Sequence, residues 1–336
     1  MSEPLLQVED LRVEIPLPHG TVHAVDGASF SLGEGQALGL VGESGCGKTM
    51  ALRAILGLLP RPARIASGRI VFDGLELTAA SAARLRDMRG RSIAMIFQEP
   101  MTALNPVMRV GAQIAEGPLV HLGVGRTRAR RRALELMRIV GIPDPERRAE
   151  AYPHELSGGM RQRVMIAIAL SCDPRLVLCD EPTTALDVTI QDQILKLLHG
   201  LQQELGVSVV FVSHDLTVIA QTCRTLAVMY AGQVVEAGPV EAVFREPRHP
   251  YTLALLRSLP DFDVVREALE PIPGSPPDLG APPPGCRFHP RCAFAHADCA
   301  SGEFPLRPLA EARATACIYD DLPAESARRE PVVALG

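Results

Sequence analysis

Residues 42 to 49 read Gly-Glu-Ser-Gly-Cys-Gly-Lys-Thr, the spacing G-x-x-x-x-G-K-[ST] that wraps backbone around a phosphate chain. Gly42, Gly45 and Gly47 let the backbone curl until successive N–H groups point inward. A helix starting at Lys48 would set its positive dipole end beneath the same point. Lys48 would bridge the β- and γ-phosphates of a nucleoside triphosphate, and the Thr49 hydroxyl would hold Mg²⁺. The candidate nucleotide ligands therefore run from Gly42 to Met50, with Glu43, Ser44 and Cys46 between the glycines.

A second group is the pair Asp180-Glu181 at the end of the apolar run Leu176-Val177-Leu178-Cys179. Asp180 falls where ligands bind in open α/β sheets and would complete the Mg²⁺ shell; Glu181, one residue on, would polarise an attacking water as general base. Alone, either carboxylate reads equally well as a helix cap. After a phosphate cradle, the catalytic reading is the stronger. A third group, Ser157-Gly158-Gly159, opens another helix, so a hydroxyl, backbone donors and a dipole face one point; a plain serine N-cap is the simpler account of it.

The elements that must position these groups follow from periodicity. Ala37 to Val41 is an apolar strand entering the cradle, and Thr49 to Leu56 a helix leaving it. Leu11, Val13 and Ile15, then Ala28, Phe30 and Leu32, alternate with polar residues and predict antiparallel strands with one wet face. Arg69 to Phe72 is a strand closed by an Asp73-Gly74 turn, and Ser92 to Phe97 another strand. Residues 99 to about 165 hold helical stretches, many prolines and no convincing strand, which predicts a helical insertion. The run Arg126, Arg128, Arg130, Arg131 and Arg132 within it reads as a solvated helix face. Strands at Leu176 to Cys179, Val207 to Val212 and Leu226 to Tyr230 alternate with helices, which predicts a largely parallel sheet.

The whole chain sets outer limits. Its 336 residues are 47% apolar and carry a net charge of −5, so there is material for a core and no electrostatic case for nucleic acid. No apolar run reaches the ~18 to 20 residues that span a bilayer, and the first residues lack a signal-peptide pattern. A cytoplasmic protein is expected, docked on a membrane only through partners. Past Leu259, 13 of the 29 prolines fall between Pro260 and Pro331; this tail is expected to lie outside the sheet.

Leu156-Ser157-Gly158-Gly159 followed by Gln162-Arg163 resembles the signature of ATP-binding-cassette (ABC) ATPases. Gln98 then resembles that family's Q-loop glutamine, Ala185-Leu186-Asp187 its D-loop, and Ser213-His214-Asp215 its switch histidine. The resemblance implies an α/β P-loop NTPase fold: an ABC nucleotide-binding domain with a RecA-like core, an antiparallel β subdomain and a helical subdomain at about 99–165. It implies catalytic roles for Lys48, Gln98, Glu181 and His214, and ATP contacts from Ser157, Gly158 and Gly159 of a second cassette packed head to tail. Thr49, Gln98 and Asp180 would surround Mg²⁺. One departure is that no Phe, Tyr or Trp lies between Ile15 and Val25 to stack on adenine; only His19 and His23 are there.

The blocks His249-Pro250-Tyr251-Thr252-Leu253, Ile272-Pro273-Gly274-Ser275-Pro276-Pro277 and Pro284-Gly285-Cys286-Arg287-Phe288-His289-Pro290-Arg291-Cys292 resemble the C-terminal extension of oligopeptide/dipeptide (and nickel) importer ATPases. Two segments are thus expected, 1–258 as the cassette and 259–336 as a proline-rich, cysteine-containing extension. Cys286, Cys292, Cys299 and Cys317 are spaced C-x5-C-x6-C-x17-C, unlike a zinc ribbon. Four thiolates on proline-stiffened loops suit a [4Fe–4S] cluster, which the subfamily resemblance also implies, with zinc or no metal as alternatives. The implied setting is the cytoplasmic face of the inner membrane. The implied partners are a second, paralogous ATPase chain, two permeases and an extracytoplasmic binding protein. The same engine could carry nickel or another small solute. A soluble ABC ATPase usually has two cassettes in one chain, and a P-loop kinase leaves Ser157 and His214 unexplained.

Overall fold

The computed structural model describes residues 3–184, 187–258, 271–310, 312–320 and 322. The chain divides into two compact units: Met1–Leu32, Leu38–Thr78 and Ser213–Gly336 form the first, Gly33–Ala37 and Ala79–Val212 the second.

In the first unit the alternation of Leu6, Val8, Leu11 and Val13, all buried, gives the strand Leu6–Leu17. It pairs antiparallel with Gly20–Leu32 on one edge and with Arg64–Phe72 on the other. Leu75–Glu76 closes this sheet after the turn at Asp73 and Gly74, both with positive φ, as a two-residue hairpin requires. The strand Ala37–Val41, buried throughout, runs parallel to Thr225–Tyr230, which pairs antiparallel with Gln233–Pro239. The last strand then takes on Ala314–Thr315, and that in turn Arg307–Pro308. The expectation that the tail stands outside the sheet is therefore corrected. Two residues form each added strand, too few to show alternation, and their pairing is fixed by Glu236 and Ala237 opposite Thr315 and Ala314.

In the second unit Ile93–Ile96, Leu176–Asp180 and Ser208–Ser213 run parallel. The middle strand is buried at all five positions, which is why its sequence is an apolar run rather than an alternation. Between the first two strands, helices Val110–His121, Arg126–Ile139 and Gly158–Ala169 fill the predicted insertion, and no strand falls there among the described residues. Helix Arg126–Ile139 buries Ala129, Ala133, Leu136 and Met137 on one stripe. Its arginines turn outward and Arg130 pairs with Glu150 at 2.8 Å, the solvated face expected of it. No described helix is long and apolar enough to cross a membrane.

Candidate functional site

The phosphate cradle lies wholly in the first unit. The strand Ala37–Val41 delivers the chain to Gly42, and the helix Lys48–Ile55 takes it away with Gly47 as a left-handed N-cap. Two glycines are there because nothing else fits. A Cβ on Gly42 (φ +152°) would sit 2.1 Å from the Met229 carbonyl oxygen, and one on Gly47 (φ +105°) 2.2 Å from that of Ala24. At Gly45 (φ +79°) a Cβ would meet nothing within 4 Å, so this side of the loop faces open space. Lys48 is 4% exposed and folds back across its own loop, donating to the carbonyls of Gly42 at 2.7 Å and Glu43 at 3.0 Å. A buried ammonium held by two carbonyls and by the Cys46 sulfur at 3.7 Å, above a helix N-terminus with no acidic residue in its first turn, suits an anion. Burial raises the Cys46 thiol above its usual range, with Lys48 partly opposing this; Cys46 stays neutral in the cradle.

The carboxylates lie in the second unit. Asp180 ends the central strand, 3% exposed, in register with Val212. Glu181 follows in the left-handed region (φ +45°), a conformation disfavoured for a side-chain-bearing residue. The neighbouring strand secures it: the Glu181 N–H donates to Val212 O at 3.1 Å. Its Oε2 accepts from the Gln98 amide at 3.2 Å and from the Thr184 hydroxyl at 2.9 Å. Gln98 reaches this point because Ile96, two residues before it, lies opposite Cys179 in the ladder. The two residues singled out as Q-loop glutamine and general base are thus in contact. Thr184 was not anticipated; its only sequence cue is a hydroxyl three residues beyond the carboxylate, in a turn where the Thr184 N–H donates to Glu181 O.

Ser157 is an exposed N-cap of Gly158–Ala169, its Oγ accepting from the Met160 N–H at 3.3 Å, with Gly158 and Gly159 partly exposed behind it. The simpler account, a serine cap, is what this chain shows, and the exposed helix start still offers donors outward. His214 stands exposed at a stiff corner of the first unit. Ser213 Oγ accepts from the Asp215 N–H at 2.9 Å, and Asp215 caps the next helix through Thr217 N at 2.8 Å. Of the expected D-loop, Ala185 and Leu186 lie outside the described residues, and Asp187 precedes the helix Val188–Leu205.

The cysteine expectation does not hold. Cys286, Cys292, Cys299 and Cys317 line one cavity with aromatic walls that include Phe288 and Phe294, but its volume is about 10 Å³, scarcely one water molecule. Burial pushes Cys292 and Cys317 up to about 11 and raises Cys286 as well. Among the described residues no group of three or more His, Cys, Asp or Glu is set to hold a metal ion. Spacing, proline-stiffened loops and the subfamily resemblance suggested a [4Fe–4S] cluster; the absence of such a metal-holding group among the described residues overturns it.

A phosphate cradle after one buried strand and an Asp-Glu pair after another define a P-loop ATPase. Comparison with known proteins refines the class. The ABC transporter profile matches residues 25–184, and the profile "Oligopeptide/dipeptide transporter, C-terminal region" matches residues 235–299. The dipeptide transport ATP-binding protein DppD of Escherichia coli (strain K12) is 47% identical over 315 residues, 94% of this chain and 96% of the relative. DppD of Bacillus subtilis (strain 168) is 49% identical over 291 residues, 86% and 87%. A dimeric ATP-binding cassette bound to ADP and Pi superposes with a TM-score of 0.63 at 26% identity, covering 70% of this chain and 98% of that one. The chain belongs to the ABC transporter family, in the branch of ATP-binding subunits that carries the oligopeptide/dipeptide transporter C-terminal region. It is an ATPase.

Proposed function

We propose that this chain is the ATP-hydrolysing subunit of a bacterial importer of di- and oligopeptides, working at the cytoplasmic face of the inner membrane. Its partners in that reading are two membrane permeases, a second and paralogous cassette, and an extracytoplasmic binding protein. The observation that carries the reading is the union in one chain of the phosphate cradle with a C-terminal region matching that of oligopeptide/dipeptide transporters.

Within that reading each residue has a task. The N–H groups between Gly42 and Met50 take the phosphates, and Lys48 exchanges its carbonyl partners for phosphate oxygens. Thr49, Gln98 and Asp180 would hold Mg²⁺, which when bound neutralises charge on the β- and γ-oxygens. Glu181 accepts a proton from water, and Gln98 with Thr184 fixes the carboxylate that does so. His214 contacts the γ-phosphate. Ser157, Gly158 and Gly159 close on ATP bound to the other cassette, so hydrolysis waits for the two cassettes to meet.

Uptake by intact cells tests this. Cells carrying wild type or Glu181→Gln are compared for entry of labelled dipeptide, tetrapeptide and Ni²⁺. Loss of peptide entry by 10²-fold or more, on the order expected for a general base, supports the reading. Loss of Ni²⁺ entry alone would leave the engine and replace the cargo, and unchanged uptake of all three refutes transport of these solutes.

A further inference from the structure

Glu43 is the second residue of the cradle, and an anion there is chemically out of place beside a site for a polyanion. The structure shows what compensates it. Arg291, from the short turn His289–Arg291 of the extension, grips the carboxylate with both arms of its guanidinium, Nη1 to Oε2 at 2.7 Å and Nη2 to Oε1 at 3.0 Å. The Arg291 side chain is 5% exposed and that of Glu43 25%. The guanidinium is itself fixed: Nε donates to Pro273 O at 2.8 Å, Nη1 reaches the Tyr230 hydroxyl at 3.2 Å, and the plane lies 5.8 and 5.9 Å from the Tyr230 and Phe288 rings. Tyr251, packed with Tyr230 and Phe288 at centroid distances of 4.5 and 5.3 Å, accepts the Glu43 N–H on its hydroxyl at 2.8 Å.

Every polar group of Glu43 is therefore committed: the N–H to Tyr251, the carbonyl to Lys48, the carboxylate to Arg291. Two of the three partners lie beyond the strands that frame the cradle. A bidentate, buried arginine both orients and neutralises a carboxylate, and removing it would leave a negative charge uncompensated at the mouth of the loop.

We propose that Arg291 is a positioning residue for nucleotide binding: by holding and neutralising Glu43 it makes the ATP affinity of the cradle depend on the C-terminal extension. The proposal rests on the reading of residues 42–50 as the ATP site. It is tested by equilibrium binding of a fluorescent ATP analogue to the full-length protein, wild type and R291M, E43Q, the double variant R291M/E43Q and K48A, with melting curves alongside. R291M is expected to bind about tenfold more weakly, the scale of one unit charge several ångströms from a phosphate at intermediate dielectric. The deficit should shrink between 50 and 500 mM salt as the Debye length falls. The double variant should bind several-fold more tightly than R291M, because the charge left unpaired has gone.

An R291M protein that melts like wild type and binds within twofold of it overturns the proposal. So does a deficit that E43Q fails to relieve, which would reduce Arg291 to a packing role. Should R291M fail to fold, R291Q, which keeps a donor for Glu43 without the charge, is measured against R291Q/E43Q with the same two outcomes. If K48A binds as wild type does, the cradle reading itself falls, a result distinct from either.

Discussion

Replacing single cradle glycines by alanine separates backbone strain from collision, and the structure predicts very different outcomes at two positions two residues apart. Gly45 and Gly47 both have positive φ, +79° and +105°, so either alanine gives up about 1 kcal/mol by entering a region that a Cβ disfavours. At Gly45 that is the whole cost, since the new methyl meets nothing within 4 Å. At Gly47 the methyl would lie 2.2 Å from the Ala24 carbonyl oxygen, about 1 Å inside the closest ordinary C···O approach. One side must yield. Ala24 is held between His23 and Val25, both paired to the strand Leu6–Leu17, so the helix start gives way, carrying Lys48 off its 2.7 and 3.0 Å contacts. G47A should thus lose 3 kcal/mol or more, on the order of other forced backbone collisions, and bind ATP about 10²-fold more weakly, the usual consequence of a 1 Å misplacement. G45A should lose about 1 kcal/mol. Urea melts and fluorescent-nucleotide titrations of the two proteins, side by side, decide it. Equal stabilities, or wild-type affinity in G47A, would refute the steric argument.

Two further outcomes concern the joint between core and extension. His249 is 1% exposed, accepts the Tyr251 N–H on Nδ1 at 3.1 Å and is pushed down to about 3 by burial. Its neutral form stabilises the fold above the unfolded value near 6.5, and that stability drains as pH falls from about 6.5 toward 3, at about 1.4 kcal/mol per unit. H249N keeps an N-cap acceptor and removes the titration. Between pH 7 and pH 5, melts of the wild type should therefore lose about 2 kcal/mol more than those of H249N, with parallel curves contradicting the assignment. Arg313 and Glu236 form an ion pair at 3.1 Å, their side chains 5% and 0% exposed. R313M should cost about 3 to 5 kcal/mol by stranding the carboxylate. Burial already raises Glu236, so the R313M deficit should grow as pH rises above the unfolded carboxylate range. A deficit that is flat from pH 5 to 8 would count against a charged Glu236 in the native pair.

The cradle was legible because it is local: the apolar strand, the glycines and the helix lie consecutively, and Gly42 and Gly47 are demanded by the Met229 and Ala24 carbonyls that the fold sets beside them. Gln98 was singled out only through family resemblance, and its contact with Glu181 was not legible, because 83 residues separate them and the parallel ladder that brings them together leaves no local trace. Thr184 left almost none. The strand at Ala314–Thr315 was illegible for a different reason, since two residues cannot display a period and Pro308 argues against a partner strand beside it. The cysteines misled in the opposite direction. Their spacing was visible, but the walls around them, which join His249 and Pro250 to Phe288, Phe294 and Tyr319, are assembled from segments far apart in the chain.

The extension poses a folding problem that its composition does not solve. Proline-rich and poor in large apolar residues, it cannot form a core of its own, yet within the first unit it is held in register. Three arginines do this, Arg287, Arg291 and Arg313, with side chains 8%, 5% and 5% exposed, each paired with an acid outside the extension: Asp26, Glu43 and Glu236. Arg287 also donates to the Ala231 carbonyl, and Gly232, next along, donates to Cys46 O at 2.9 Å. Buried pairs of this kind contribute little net stability, because desolvating both charges offsets most of their attraction. What they supply is geometry, since a misplaced extension would strand three charges at once. Two of the three end on or one residue from the walls of the phosphate cradle. An apolar interface would have bound the tail as firmly, but it would have tolerated sliding. The charged one fixes the tail against the loop, which is the arrangement needed if the extension is to govern how that loop receives ATP.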